Sequence, residues 1–202
     1  YGGVNSEILV EMLPTFDGGF LLAGNSFSGA SGDKSQPNWD INQQTYDYWI
    51  LKANSNGVKQ WDKRFGGTSL ELLGGVVQTS DKGYVLAGAS FSGISGDKTQ
   101  ASQGSWDYWI VRIDSLGNKV WDKRYGGTDD DFATSIVINA NGGLLIGGYS
   151  QSLAGGDKSQ RDDNQRFGCL HFENDNENHA DNHAEQRGEN SDQSNGNHFP
   201  IG

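Results

Sequence analysis

A block of about 60 residues occurs twice in full and once in part in this chain of 202 residues. The segment Asp47–Ile50 returns 60 positions later as Asp107–Ile110, and Trp61–Gly67 returns at the same offset as Trp121–Gly127. A period of this size is typical of a stacked or radial array of one supersecondary unit. The repeat therefore constrains the architecture far more than it constrains the function.

Each repeat contains four short segments with the composition of β-strands. In the second repeat the pattern predicts strands over residues 72–79, 84–90, 107–114 and 119–125, the third of them rich in aromatic and β-branched residues. No helical period of 3.6 residues competes over a useful length. The sequence predicts an all-β fold.

The breaks between these segments have the composition of hairpin turns. Equivalent turns occur at Asp17-Gly18-Gly19, Asp81-Lys82-Gly83 and Asn141-Gly142-Gly143, and a second set at Asn56-Gly57 and Gly117-Asn118. Gly and Asn adopt positive φ at low cost, which tight hairpins require. We therefore expect consecutive strands to pair antiparallel.

Four antiparallel strands, with small residues along the second one, favour the blade of a β-propeller. The small pairs are Ala23-Gly24, Ala87-Gly88 and Gly147-Gly148, and small residues suit inner strands where blades crowd an axis. The fold class is thus a partial β-propeller of about three four-stranded blades, with blades over about residues 1–66, 67–126 and 127–160, the last incomplete. Because propellers close with four to eight blades, we expect further blades in the intact chain or self-association.

Residues 161–202 differ from the repeats in composition. This segment holds nine acidic and three basic residues and contributes −6 of the net charge of −11. Its polar, aperiodic sequence predicts disorder. An equally open alternative is a shift of reading frame, because Cys169–Asn174 stands where a strand like Tyr48–Lys52 belongs.

Composition also limits the partners. The acidic balance argues against nucleic acid, which requires clustered Lys and Arg. No apolar run approaches the 18 residues of a membrane span, and the single Cys169 excludes an intrachain disulfide. The chain starts at Tyr1 without a signal peptide, so we expect it to be a piece of a longer protein.

The repeats resemble the propeller repeats of secreted and cell-surface proteins of Bacteroidetes-type bacteria. The matching motifs are Phe65-Gly66-Gly67, Thr79–Tyr84, Asp107–Arg112 and Gly117–Trp121, and the resemblance covers residues 1 to about 160. Many such proteins are similar to cargo of the type IX secretion route, which implies a secreted or cell-surface location. The family mostly lacks an assigned activity.

Two further resemblances are less complete. Asp114–Trp121 is similar to the turn of quinoprotein propellers, with a spacing one residue shorter, and Asn54–Gly57 is similar to a sialidase Asp-box, with Trp61 one residue too distant. Neither brings a cofactor-binding motif, so no cofactor is expected. No nucleophile elbow, zinc-protease motif or P-loop is present, and no catalytic residue is assigned.

A binding site is expected on the face that holds the long loops between the second and third strands. Gly32 to Asp47 spans 15 positions, whereas Gly96 to Asp107 spans 11, and binding residues concentrate on variable loops of a rigid scaffold. The candidate ligand-binding residues are Trp39, Asp33, Lys34, Asp97, Lys98 and Trp106.

Each candidate has a structural alternative. Trp39 has no partner in the other repeat and either stacks on a sugar or protein or anchors its loop by burial, whereas Trp106 stands where Tyr46 does. The recurring Asp33, Asp97 and Asp157 with Lys34, Lys98 and Lys158 are a binding cluster if they converge, or otherwise a turn in which Asp bonds its own backbone and Lys is solvated.

No metal site is predicted. The run Asp129–Asp131 lacks the spacing of a calcium loop, and the neighbours of His179 and His183 give no apolar helix face to hold a metal pair.

The sequence favours a secreted binding or scaffold module that recognises a glycan or a protein. The alternatives are a propeller enzyme, either a glycosidase-like hydrolase or a quinone-dependent oxidoreductase, and a purely structural spacer.

Overall fold

The structure, a computed structural model, describes residues 1–42, 44–153 and 155–157, together with the backbone of 167–172. These residues form eleven β-strands and no helix, which confirms the all-β prediction. The strands are β1 (Glu7–Pro14), β2 (Phe20–Ser26), β3 (Asp47–Ala53), β4 (Lys59–Phe65), β5 (Glu71–Gln78), β6 (Tyr84–Ser90), β7 (Asp107–Ile113), β8 (Lys119–Tyr125), β9 (Asp131–Ile138), β10 (Leu144–Ser150) and β11 (Phe167–Phe172). In the described ranges, no helix has the length and apolar character needed to cross a bilayer.

The strands form three open antiparallel sheets in chain order. Sheet I contains β1 to β4, sheet II contains β5 to β8, and sheet III contains β9 to β11. Each strand pairs with the next along the chain, so every connection within a sheet is a hairpin or a longer loop between neighbours. The strands predicted in the second repeat agree with β5 to β8 to within one residue at each end.

The first hairpin of each sheet is closed by the same turn. The left-handed position is Gly18 in sheet I and Gly142 in sheet III, with φ of 80° and 83°. In sheet II the same position holds Lys82 with φ 70°, so here a residue with a side chain adopts the left-handed conformation. Asp81 stabilises this turn, because its Oδ1 accepts bonds from Thr79 Oγ1 at 2.6 Å and Gly83 N at 3.2 Å.

The second strands require small residues for a reason that the sequence did not reveal. The first strand of each sheet contains a bulge, at Leu9/Glu11 in β1 and Leu73/Gly75 in β5. A Cβ on Gly88 would lie 2.3 Å from Leu72 O and 2.4 Å from the hydroxyl of Tyr48. Glycine is thus required where a bulged strand and a ring from the neighbouring sheet both approach the backbone.

Sheets I and II bury a shared apolar layer. Tyr48 of β3 and Trp109 of β7 are nearly or fully inaccessible, and their ring centroids lie 5.2 Å apart. Polar side chains of sheet I also bond to the backbone of sheet II: Asn25 Oδ1 accepts from Leu73 N, and Glu11 Oε2 from Val76 N, both at 2.8 Å. These two third-strand aromatics therefore fill the space between sheets I and II.

Sheets II and III bury an equivalent layer on the other face of sheet II. Its fully buried members include Ile110 of β7 and Ile146 of β10, and Ile136 of β9 is 7% exposed. Each face of sheet II thus packs against one neighbour, so the middle repeat is covered on both sides.

The segment predicted to be a disordered or frame-shifted tail includes a strand. β11 pairs with β10 in the register Gly148↔Gly168, and so takes the place that β7 has beside β6, where Gly88 pairs with Trp109. The strand Phe167–Phe172 thus lies within the segment for which disorder was predicted. Residues 158–166 and 173–202 lie outside the described residues, and the frame-shift hypothesis stays a prediction.

Candidate functional site

The Gly-Asp-Lys loops fasten the chain where one repeat passes into the next. Asp97 N donates to Gly66 O at 2.8 Å, and Asp97 Oδ2 accepts from Gly66 N at 3.2 Å. Asp33 makes the same two bonds to Gly2, at 2.8 and 3.0 Å. The third loop repeats the backbone bond from Asp157 N to Gly126 O. We call this arrangement the Gly-Asp clasp; its carboxylate bonds the linker before the repeat's first strand, not its own loop.

The lysine of the motif is buried, so the expectation that Lys34 and Lys98 are solvated is wrong. Both side chains are 2% exposed. Lys34 Nζ donates to Ser28 O at 2.7 Å and to Asn38 Oδ1, and Lys98 Nζ donates to Ser92 O and Ser102 Oγ, each at 2.7 Å. Burial lowers the pKa of each lysine to about 8. Each ammonium therefore links an early residue and a later residue of its own loop. Lys158 lies outside the described residues.

Trp39 lies on the clasp of the following repeat. Its Nε1 donates to Asp97 Oδ2 at 2.8 Å, and the Arg64 guanidinium carbon lies 4.3 Å from the centre of its ring. A Cβ on Gly96 would lie 2.5 Å from Trp39 Cδ1, so the indole edge packs directly on that glycine. Trp39 nevertheless stays 41% exposed. Its loop is anchored, but the ring is also presented to solvent.

Trp39 has a structural counterpart, which corrects the view that it has none. Trp39 N donates to Asp47 Oδ2 at 2.9 Å, and Gln103 N donates to the equivalent Asp107 Oδ2 at 2.5 Å. The side-chain amide of Gln103 also lies against Gly156, as the Trp39 ring lies against Gly96. The extra residues of the first repeat thus follow position 39. Within them, Ile41 is 90% exposed.

Asp47 is a buried residue that accepts a hydrogen bond from the backbone of Trp39. Its side chain is 0% exposed, and Arg64 Nε lies 3.9 Å from Asp47 Oδ2, too far for a good hydrogen bond. Burial raises the pKa of Asp47 to about 8, and burial also raises the pKa of Asp107 and of Asp97. A fully buried carboxyl cannot contact a substrate, so Asp47 has a structural role in holding the loop.

Trp106 belongs to a different surface. Its ring centroid lies 5.6 Å from Phe91 and 4.8 Å from Phe132, and Phe132 stacks on Tyr149 at 4.9 Å. The four rings run from sheet II to sheet III at the end of the sheets that holds the long loops. Trp106 matches Tyr46, as predicted, because their carbonyls accept from Asp131 N and Glu71 N, each at 2.8 Å.

The structure therefore brings together Trp39 and Asp97 and places the other candidates elsewhere. Asp33 lies on its own clasp, Lys34 and Lys98 lie inside their loops, and Trp106 lies in the aromatic row. The candidate site is the Trp39 platform, which we define as Trp39, Ile41, Arg64, Gly96 and Asp97.

Sequence reasoning missed Arg64 and the Asp that orients each third-strand Trp. Asp62 Oδ2 accepts from Trp49 Nε1 at 3.1 Å, and Asp122 Oδ2 accepts from Trp109 Nε1 at 3.0 Å. The pKa of Asp62 lies below its usual value, since bonds from Lys59 and from the backbone of Ser35 outweigh its burial. The return of Trp-Asp-Lys-Arg at an offset of 60 was a usable signal for both residues.

One residue of the acidic run Asp129–Asp131 has a structural role. Asp131 Oδ2 accepts from Gly127 N at 2.8 Å, at the position where Glu71 accepts from Gly67 N. Within the described ranges, no three His, Cys, Asp or Glu side chains form a group that could hold a metal ion. His179 and His183 lie outside those ranges.

The platform predicts a strong constraint on Gly96. We expect Gly96→Ala to lower the free energy of unfolding by about 1–2 kcal/mol from its left-handed backbone alone, since φ is 59°. A Cβ would also lie 2.4 Å from Gly66 O and displace Trp39. Urea denaturation followed by circular dichroism measures the loss. Gly93→Ala is the matched control, because nothing lies within 4 Å of its Cβ position; equal effects of the two variants contradict this account.

No protein-family model matches the chain. Residues of the chain are 29% identical over 122 positions to a protein of Caulobacter vibrioides named regulatory protein FlaEY. That match covers 56% of this chain and 13% of the relative. The chain thus resembles a small part of a much longer protein.

Proposed function

We propose that the three sheets are consecutive blades of a β-propeller, and that the chain is a binding or scaffold module of a larger repeat protein. The packing order supports this architecture: β5 lies against both β1 and β9, so the first strands of the three sheets are neighbours. Sequential sheets that turn about their first strands are typical of propeller blades. The short match to a long relative agrees with a module inside a longer chain.

The ligand site of this proposal is the Trp39 platform, and the ligand is a glycan. The supporting observation is the exposed Trp39 ring held by two neighbours, Asp97 and Arg64. A ring fixed before binding loses little entropy when a ligand stacks on it. Asp97 and Arg64 add polar groups beside the apolar ring, as sites for polyhydroxylated ligands require.

A secreted or cell-surface location belongs to the same proposal. It rests on the resemblance of the repeat motifs to those of surface proteins that are similar to type IX secretion cargo. Export is tested by fractionating the native host and detecting the protein in the envelope and medium; a purely internal protein contradicts it.

A glycan array tests the site. We expect the chain to bind at least one class of glycan, and Trp39→Ala to weaken that binding by about 30-fold, the loss typical of a central aromatic contact of about 2 kcal/mol. Leu116→Ala is the control, because Leu116 is 65% exposed in the distant β7–β8 turn. Circular dichroism verifies that both variants are folded.

Two results contradict the proposal. One is an array on which the folded chain binds nothing, which favours a structural spacer or a protein ligand. The other is a glycan whose affinity is unchanged in Trp39→Ala, which places binding elsewhere on the chain.

A further inference from the structure

Arg64 is a buried cation whose guanidinium has no hydrogen-bond acceptor in the described part of the protein. Its side chain is 10% exposed, and neither Nε nor Nη1 has a partner there. Two carboxylates lie beside it, Asp97 at 3.6 Å from Nη1 and Asp47 at 3.9 Å from Nε, both beyond a good hydrogen bond. Buried polar groups are nearly always paired, so the unpaired guanidinium requires an explanation.

The equivalent arginine of the second repeat has the acceptors that Arg64 lacks. Arg124 Nη1 donates to Asp157 Oδ2 at 2.6 Å. With its amide oriented so that both ends have partners, Gln103 also accepts from Arg124 Nη1 and Nη2, at 2.6 and 2.8 Å. The second repeat thus supplies one charged acceptor and one amide acceptor to the terminal nitrogens of its arginine.

Trp39 removes both acceptors from Arg64. The indole stands in the place of Gln103, and its only polar group is a donor. Its Nε1 also donates to Asp97 Oδ2 at 2.8 Å, the oxygen equivalent to the one that Arg124 binds. The Arg64 guanidinium lies instead 4.3 Å from the centre of the indole ring, a contact that leaves its N–H groups without acceptors.

Part of this unsatisfied group is open to solvent. Nε and Nη1 of Arg64 are enclosed, whereas Nη2 is neither enclosed nor bonded to any described residue. Nη2 belongs to the guanidinium that lies against Trp39, and the indole itself is 41% exposed. A ligand that stacks on the exposed part of the indole therefore has an N–H donor beside it.

The charges around Arg64 favour an anion over a neutral acceptor. Asp47 keeps its proton at neutral pH, because burial raises its pKa to about 8, so it does not neutralise the guanidinium. The pKa of Lys34 is lowered by burial and also by the charge of Arg64, which places a second cation nearby. Asp97 opposes them, but its Oδ2 is already bonded to Trp39 Nε1. The platform is therefore a basic point on an acidic chain.

We propose that the glycan recognised at the Trp39 platform is acidic, and that its carboxylate accepts from Arg64 while a sugar ring stacks on Trp39. The inference rests on the binding function proposed above and specifies its ligand class. A carboxylate is also the group that the second repeat places on its arginine, through Asp157. Hydrogen bonds between guanidinium and carboxylate are charge-assisted and stronger than those between neutral groups. Neutral glycans bind more weakly, since they leave the cation without an anion.

An array that carries carboxylated oligosaccharides, each beside its methyl ester, tests the charge. Esterification removes the charge and leaves the sugar rings unchanged. We expect at least one free acid to bind, and its ester to bind more weakly by about 10-fold or more. Equal binding of acid and ester, or binding of neutral glycans alone, overturns the inference and leaves the glycan site at Trp39 standing. An array on which no glycan binds overturns both.

Arg64→Gln tests the residue. The indole remains for stacking, so we expect this variant to bind the ester as wild type does and to bind the free acid no better than the ester. Arg124→Gln is the matched control and keeps the preference for the acid, because Arg124 is paired within the second repeat. Circular dichroism verifies that both variants are folded. If Arg64→Gln weakens binding of acid and ester by the same factor, Arg64 has only a structural role and the inference is overturned.

Salt dependence gives a second readout on the wild-type protein, which does not require any variant to fold. We expect the affinity for the free acid to fall as sodium chloride is raised, and the affinity for the ester to stay constant, because added salt screens the ion pair alone. Titration calorimetry at a series of salt concentrations measures both affinities. Parallel salt dependence of acid and ester overturns the inference.

Discussion

Replacing Trp109 with Ala is expected to lower the free energy of unfolding by about 3–5 kcal/mol. Trp109 is the largest fully buried side chain in the described part of the protein, and it lies between sheets I and II against the ring of Tyr48. The substitution opens a cavity there and removes the indole that donates to buried Asp122. Urea denaturation followed by far-ultraviolet circular dichroism measures the loss.

Trp49 is the matched control for this prediction. It occupies the same strand position and donates to Asp62 as Trp109 donates to Asp122, but it packs in a small cluster of sheet I residues, apart from the layer shared with sheet II. We expect Trp49→Ala to cost about 1 kcal/mol less than Trp109→Ala, because fewer neighbours surround the cavity. Equal losses contradict the view that the preceding sheet contributes to burial of the third-strand Trp.

The strands and hairpins were accessible from the sequence because their causes are local. Alternating apolar residues and turn residues with positive φ act within one repeat. The offset of 60 between Asp47 and Asp107 shows that the same pattern recurs in the next repeat. The bulges were not predicted, because the sequence Leu72–Gly75 does not by itself indicate an extra residue in the strand. The approach of Tyr48 to the paired strand was not predicted either, because it depends on how two sheets pack. The small residues of the second strand respond to that distant ring.

The candidate site was accessible only in part. The length of the loop that holds Trp39 predicted a site there. The alignment of Trp39 with Gln103 was not predicted, because the first repeat has extra residues after position 39. That match depends on two backbone amides that bond Asp47 and Asp107. Lysines are usually solvated, so the burial of Lys34 and Lys98 follows only from the carbonyl and hydroxyl oxygens that their folded loops turn inward.

The stability of the protein is expected to fall as pH rises between about 5 and 8, opposite to the usual trend. Burial raises the pKa of Asp47 from 3.8 to about 8 and also raises the pKa of Asp107 and Glu71. In this window the unfolded chain has released protons that the folded chain retains. The stabilisation from each group is complete below its unfolded pKa and is lost as pH rises through the folded pKa, with a limiting slope of about −1.4 kcal/mol per pH unit.

The other shifted groups act outside this window. Burial lowers the pKa of Lys34 and Lys98 from 10.5 to about 8, so their effect lies above about pH 8 and has the opposite sign. The pKa of Asp114 lies below its usual value because it bonds Asn118, so its effect is confined to acid pH. Asp47→Asn and Asp114→Asn therefore form a matched pair of test and control.

We expect Asp47→Asn to reduce the negative slope by about 1 kcal/mol per pH unit and Asp114→Asn to leave it unchanged. The amide keeps an oxygen that accepts from Trp39 N, so the loop retains its bond. Urea denaturation at a series of pH values and constant ionic strength measures the slopes. If wild type and Asp47→Asn show the same slope, Asp47 is already ionised in the folded protein. In that case attraction to Arg64, 3.9 Å away, outweighs the cost of burying the charge beneath the Trp39 platform.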